Sequence, residues 1–264
     1  MKPEPVPQVQ SESTAIVLGS GTSNGVPMLG VEYSNEFLTN SKNHRTRPSL
    51  LLCGPTGNVL VDCAPEMRLQ LLREGVRRIE AVIVTHTHAD HIMGMDDLRS
   101  FCLVHRMQMP VYAFPRYQED IRRIFGYAFE SHPEGIQVPR FDLRDLPPEL
   151  ELAGLRIEAF TVWHGPLPVA GLRINDFAYL TDVNRIPEEA ARALSGLDTL
   201  ILDAVRYEPH PTHFHFDEAV RVAQELSARQ TYFTHLSGDY DHDRVNESLP
   251  SGIELAFDGL RVSL

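Results

Sequence analysis

Apolar positions along this chain gather in short runs more than in long helical stripes. Residues 15–18, 81–84, 177–180, 197–202 and 230–233 are runs rich in Val, Ile, Leu and aromatics, and each reads as a strand, with 81–84 buried. Residues 155–162 alternate apolar and polar and read as a further strand. Residues 48–53 and 58–62 flank Gly54-Pro55-Thr56-Gly57, which predicts a hairpin. Helical spacing marks 65–74, 96–106, 116–125 and 216–226, with a short strand at 110–114. Residues 31–47 read as a polar surface loop, and 135–155 as short strands and turns broken by prolines. The proline-containing polar segment 1–13 is expected to be a disordered lead-in, leaving 14–264 as one domain.

The residues just past the strand ends carry the chemistry. The run 81–84 leads into Thr85-His86-Thr87-His88-Ala89-Asp90-His91, three imidazoles and a carboxylate at the junction of a strand and a helix. In extended backbone His86 and His88 project to the same side and can share one ion, while Asp90 and His91 come next on the turn and can address a second. Imidazole and carboxylate suit zinc and other first-row divalent ions. The strand 155–162 ends at Trp163-His164, 177–180 at Thr181-Asp182, 197–202 at Asp203, and 230–233 at Thr234-His235. Sheets place ligands beyond the carboxyl ends of their strands. His86, His88, His164 and Asp182 can therefore hold one ion, and Asp90, His91, His235 and a shared Asp182 another, at a two-metal spacing of about 3.5–4 Å. Asp62, ending the strand 58–62, is either a helix cap or a carboxylate that orients a ligand histidine.

Gly19-Ser20-Gly21-Thr22-Ser23-Asn24-Gly25-Val26-Pro27 comes after the first strand without completing a dinucleotide or P-loop fingerprint. The strand-end ligand set resembles that of the metallo-β-lactamase superfamily over nearly the whole chain. The 19–27 turn, Arg45-Thr46-Arg47-Pro48-Ser49 and the tail from Thr234-His235 to Leu255-Ala256-Phe257-Asp258-Gly259-Leu260 are similar to its PhnP-like branch. The resemblance implies an α+β fold, the αββα four-layer sandwich of this superfamily, two Mn2+ or Zn2+ ions per chain, and hydrolysis of small cyclic phosphodiesters such as phosphoribosyl 1,2-cyclic phosphate or a 2′,3′-cyclic nucleotide. The nucleophile would be a bridging hydroxide on the two ions. PhnP-type proteins often add a structural zinc on an early cysteine-rich loop, helped by a histidine just after the last ligand. Here residues 30–40 lack cysteine and Gly238 occupies the second position, so no structural zinc is expected.

In this reading Asp90 serves both as ligand and in catalysis, and His213 is the general acid that protonates the leaving alkoxide, with His215 as its competitor. A substrate phosphate would be anchored by Arg47 on the family position, with Arg185 and Arg206 as alternatives, and by Thr22 and Ser23. The remaining histidines, His44, His105, His132, His210 and His242, read as surface or structural.

Composition narrows the partners. A net charge of −12 opposes wrapping of a nucleic-acid polymer, and no basic arm suggests a ribonuclease Z grip on tRNA. The expected partner is a small phosphorylated molecule, with homodimerisation left open. No apolar run approaches a membrane span of about 18 residues. Three cysteines with no close pair argue against a disulfide framework and for a cytoplasmic setting. A redox di-iron site would put Glu where His88 stands. The alternatives are a thioester, lactone or β-lactam hydrolase on the same fold, and a metal-holding binding module without turnover.

Overall fold

The computed structural model describes residues 13–133 and 135–264. All but Ser13 of the expected N-terminal lead-in lies outside the described residues. Strands β1 (Thr14–Gly19), β2 (Ser49–Gly54), β3 (Gly57–Val61), β4 (Ala81–Val84), β5 (Met109–Ala113) and β6 (Phe141–Asp145) lie side by side in chain order. A second sheet takes β7 (Glu149–Leu152), β8 (Leu155–His164), β9 (Leu167–Ile174), β10 (Phe177–Leu180), β11 (Thr199–Asp203), β12 (Gln230–Thr234) and β13 (Ile253–Leu255). The chain then returns to the first sheet, where β14 (Arg261–Ser263) pairs outside β1 and makes both sheets seven-stranded.

The two-residue period of a strand explains why these runs are apolar throughout. Ala15 and Val17 of β1 pack between the sheets with Ile157, Leu172 and Ile201. Ile16 and Leu18 point the other way, into the layer that holds Met67 and Leu71 of the helix Met67–Arg73. The same alternation sends Ile83 of β4 between the sheets and Val82 and Val84 toward the outer helices. Each such Val, Ile, Leu or Met side chain is almost fully enclosed, a contribution of roughly 1.5–3 kcal/mol. On the far side, the helix Phe216–Leu226 buries Ala219, Val222 and Ala223 against the second sheet. Three apolar layers thus separate four structural ones, the expected αββα sandwich.

Several boundaries differ from expectation. The stretch read as a loop at 31–47 contains a five-residue helix, Asn35–Thr39, whose first turn is capped by the Ser34 hydroxyl accepting from the Phe37 N–H at 3.1 Å. Asn43 and Arg45 in that stretch are buried, held by hydrogen bonds that apolar periodicity cannot register. The helix expected at 96–106 begins as a 3-10 turn and is α-helical only over Arg99–His105. Strand β9 escapes the pattern because it contains Pro168 and Gly171. Gly171 is required there, since a Cβ would run into the Phe160 ring and the Leu180 side chain. The three cysteines are free and buried, as the spacing predicts. Among the described residues no helix is long and apolar enough to cross a membrane.

Candidate metal centre

The strand directions bring the polar ends together. β8 is antiparallel to β9 and β9 to β10, while β10, β11 and β12 are mutually parallel. Strands β8, β10, β11 and β12 therefore share one direction, and His164, Asp182, Asp203 and His235 emerge at one edge. From the facing sheet, β4 delivers His86 and His88, and its parallel neighbour β3 delivers Asp62. His88 is the N-cap residue of a single helical turn, Ala89–Ile92, that carries Asp90 and His91. Asp62, Asp182 and His235 adopt left-handed backbone, with φ of 61°, 50° and 60°. That conformation costs a residue with a Cβ roughly 1–2 kcal/mol, and its presence at three strand ends marks a site whose geometry is imposed by its surroundings.

Two groups of donors result: His86, His88, His164 and Asp182, and Asp90, His91, Asp182 and His235, with ligand atoms in each group all within 4.8 Å of one another. Asp182 belongs to both. Its Oδ2 lies 3.7 Å from His86 Nε2, while its Oδ1 lies 3.2 Å from His91 Nε2 and 3.3 Å from His235 Nδ1. One carboxylate thus faces both groups.

The surrounding hydrogen bonds fix which ring nitrogen looks inward. Asp62 accepts the Thr85 N–H at 2.8 Å, the Thr85 hydroxyl at 2.7 Å and His91 Nδ1–H at 2.7 Å. Of its two sequence readings the orienting carboxylate is the one realised. The Thr85 hydroxyl, having donated to Asp62, accepts from His86 Nδ1 at 3.1 Å, and the Thr212 carbonyl accepts His164 Nδ1–H at 2.7 Å. His86, His91 and His164 therefore all turn Nε2 toward the centre. Burial pushes the pKa of His86, His164 and His235 down, keeping these rings neutral and able to donate a lone pair. Burial opposes charge on His91 too, but Asp182, Asp90 and Asp62 outweigh it and raise that imidazole well above its usual range.

The donor set fits divalent cations on a direct observation. His86 Nε2, His91 Nε2, His235 Nδ1 and Asp90 Oδ2 are all buried without a hydrogen-bond partner. Buried polar atoms are rarely left so, and four that converge on Asp182 are what ligation by a cation satisfies.

Beside the donors, His213 gives its Nδ1–H to Asp203 Oδ2 at 2.7 Å and turns Nε2 toward Asp182, 4.0 Å away. Its ring stacks on His235 at 4.8 Å and 13°. Burial alone would lower its pKa, but the Asp203 charge and hydrogen bond raise it to about 9. His215 is the residue before the helix Phe216–Leu226, with Nδ1 3.4 Å from Glu218, and does not line the cleft. Asp203 was legible only as one more strand-end carboxylate; its pairing with His213 was not.

A cleft of about 410 Å³ opens over these groups. Thr22, Ser23 and Asn24 form one wall, and Arg206, His210 and Asp239 line the cleft as well. The Thr22 turn is set against the last ligand by backbone: Leu236 N–H donates to the Ser20 carbonyl at 2.9 Å and Thr22 N–H to the Leu236 carbonyl at 3.1 Å. Arg45, 1% exposed, donates to the carbonyls of Ser237 at 3.2 Å and Tyr240 at 2.8 Å, fixing the segment that follows His235. Arg47 departs from its expected role. Its Nε and Nη2 grip the Glu66 carboxylate at 2.7–3.0 Å, and it does not line the cleft. Nor does Arg185, which lies over the Trp163 ring. His210, read as structural, faces the cleft through a proline-flanked loop that no local pattern predicts.

Comparison with known proteins agrees with this geometry. The family model described as beta-lactamase superfamily domain matches residues 57–236. A crystal structure of a diphosphatase from the PhnP family superposes with a TM-score of 0.88 at 38% identity, covering 96% of this chain and 98% of that one. A protein named octanoyltransferase from Porphyromonas gingivalis is 34% identical over 250 residues, 93% of this chain and 50% of the relative, so the chain spans about half that relative's length. Ribonuclease Z of Methanopyrus kandleri is 25% identical over 83% of this chain and 91% of its own. With its matched domain, its two facing sheets and its strand-end His and Asp cluster, the chain belongs to the metallo-β-lactamase superfamily and stands close to its PhnP family.

Proposed function

We propose that this chain is a dinuclear metal-dependent phosphodiesterase acting on small cyclic phosphodiesters of the phosphoribosyl 1,2-cyclic or 2′,3′-cyclic nucleotide type. The observation that carries the reading is the His213–Asp203 pair standing beside a donor set bridged by Asp182. His86, His88, His164 and Asp182 would hold one Mn2+ or Zn2+, and Asp90, His91, His235 and Asp182 the other. When bound, such a pair supplies Lewis acidity toward phosphoryl oxygens and a water-derived nucleophile at neutral pH. The chain's own residues do the rest. Asp62, through His91, and the Thr212 carbonyl, through His164, keep the rings from rotating as charge develops. Asp182 sets the separation of the two donor groups. His213, protonated and aimed by Asp203, donates from Nε2 to the departing oxygen. Opening a cyclic diester expels an alkoxide, a poor leaving group that needs that proton.

A second reading has its own support. The 38%-identical PhnP-family relative is a diphosphatase, and a phosphoanhydride would fit the same donor set. Its leaving group is a phosphate, which departs with little help from an acid, so the buried His213–Asp203 pair favours the cyclic ester. The test is turnover by the metal-loaded protein on a phosphoribosyl cyclic phosphate, a 2′,3′-cyclic nucleotide, a diphosphate, a linear diester, an octanoyl thioester and a lactone. Preference for the cyclic phosphates is expected. Preference for the diphosphate would select the second reading, and activity on the thioester or lactone alone would overturn both.

A further inference from the structure

The cleft contains charged groups that neither the donor set nor the acid uses. Among the described residues, Arg206 is the Arg or Lys that lines it. The side chain is half-buried and folds back on its own loop, with Nε donating to the Glu208 carbonyl at 3.2 Å and Nη2 to the Pro209 carbonyl at 2.9 Å. Two of five guanidinium N–H groups are so engaged, and among the described residues no carboxylate pairs with it. The cleft-lining carboxylates have other roles: Asp90 and Asp182 sit in the donor set, and Asp239, on the segment whose Ser237 N–H donates to the Val205 carbonyl at 2.9 Å, accepts the Ser237 hydroxyl at 2.8 Å.

His210 stands next to it. Its ring lies 4.8 Å from that of His213, edge to face, and its Nδ1 accepts from the Thr212 N–H at 3.3 Å. Nε2 is then the nitrogen that carries the proton, a second donor on the wall. The loop that carries both residues includes Pro209 and Pro211 and is braced by Asn184 Nδ2 donating to the Pro211 carbonyl at 2.9 Å. A stiff loop holding a guanidinium fork and an imidazole N–H at the edge of a cleft is built to receive an anion. This matters more in a chain of net charge −12, which repels anionic substrates at long range and must attract them locally.

We propose that Arg206 and His210 form an anion subsite that takes a second anionic group of the substrate, a phosphate or carboxylate, separate from the phosphorus under attack. The inference rests on the phosphodiesterase reading and narrows it to small molecules with two anionic groups. Arg206 and His210 act here as specificity-determining residues.

The test uses the metal-loaded full chain and reads binding by calorimetry. The probes are glucose 1-phosphate, glucose 1,6-bisphosphate and glucuronic acid 1-phosphate, set beside kcat/KM on cyclic diesters with and without a terminal phosphate. A charge-assisted bidentate contact predicts that the bisphosphate binds about tenfold to a hundredfold more tightly than the monophosphate. R206Q should remove most of that advantage, and H210Q part of it, while the monophosphate affinity shifts far less. A gain for the glucuronate as large as for the bisphosphate identifies a carboxylate as an acceptable second anion; a gain for the bisphosphate alone identifies a phosphate site. Equal affinity for the mono- and bisphosphate in the unmodified protein overturns the subsite, as does an equal loss for both in R206Q. In either case, continued turnover of simple cyclic diesters would leave the phosphodiesterase reading standing, whereas loss of all phosphoester turnover and binding would overturn both.

Discussion

His213 Nδ1 and Asp203 Oδ2 lie 2.7 Å apart, the carboxylate fully buried and the imidazole nearly so. Asp203 Oδ2 also accepts the Val183 N–H at 2.8 Å, so the carboxylate is held from two sides and cannot turn away. The pair does two things at once. It turns the protonated Nε2 inward, as the proposed acid role requires, and it stabilises the charged imidazolium.

Asp203→Asn should therefore slow cleavage of an alkyl phosphodiester by about 10²–10⁴-fold, the usual contribution of a positioned acid. A p-nitrophenyl ester, whose leaving group needs no proton, should lose far less, and metal content should be unchanged. Equal losses on both esters would mean that the pair serves only the structure.

The pH dependence has a definite sign. The His213 pKa is raised from the ordinary 6.5 to about 9 in the folded chain. Its contribution to stability is then complete below about 6.5 and is lost as pH rises through about 9. Unfolding free energies of the metal-free protein should fall across that window, and His213→Gln should flatten the fall. Bound cations would lower this pKa, so the alkaline limb of kcat on an alkyl diester should lie at or below about 9.

Metal affinity should respond to residues that touch no metal. Asp62→Asn removes a charge that orients both His91 and, through Thr85, His86. Its affinity for Zn2+ or Mn2+ should fall about 10–100-fold, whereas Asp182→Ala should abolish stoichiometric binding at both groups. Metal analysis after dialysis, with competition against a chelator, separates the two.

Arg45 is an internal brace. Arg45→Met would strand the carbonyls of Ser237 and Tyr240, and the chain should lose about 2–4 kcal/mol in denaturant unfolding. Gly171→Ala, which drives a methyl into the Phe160 ring, should cost about 1–3 kcal/mol without altering metal content.

All seven proposed ligands were legible in the sequence, because the signal is local. A run such as Ala81-Val82-Ile83-Val84 announces a strand buried on both faces, and a His or Asp just past its end lies where strand ends meet. The two-sheet architecture came from resemblance, and the alternation of Ala15 and Val17 against Ile16 and Leu18 shows its physical basis. Only tertiary structure decided how loops from distant parts of the chain meet. It gave Asp203 to His213 and Asp62 to His91, turned Arg47 onto Glu66, buried Arg45, and brought His210 to the cleft. Each of these outcomes depends on two segments that fold independently of one another's local pattern and are brought together when the sheets close. A strand's period is written within a few residues, but the partner of a loop side chain is set by the path of the whole chain.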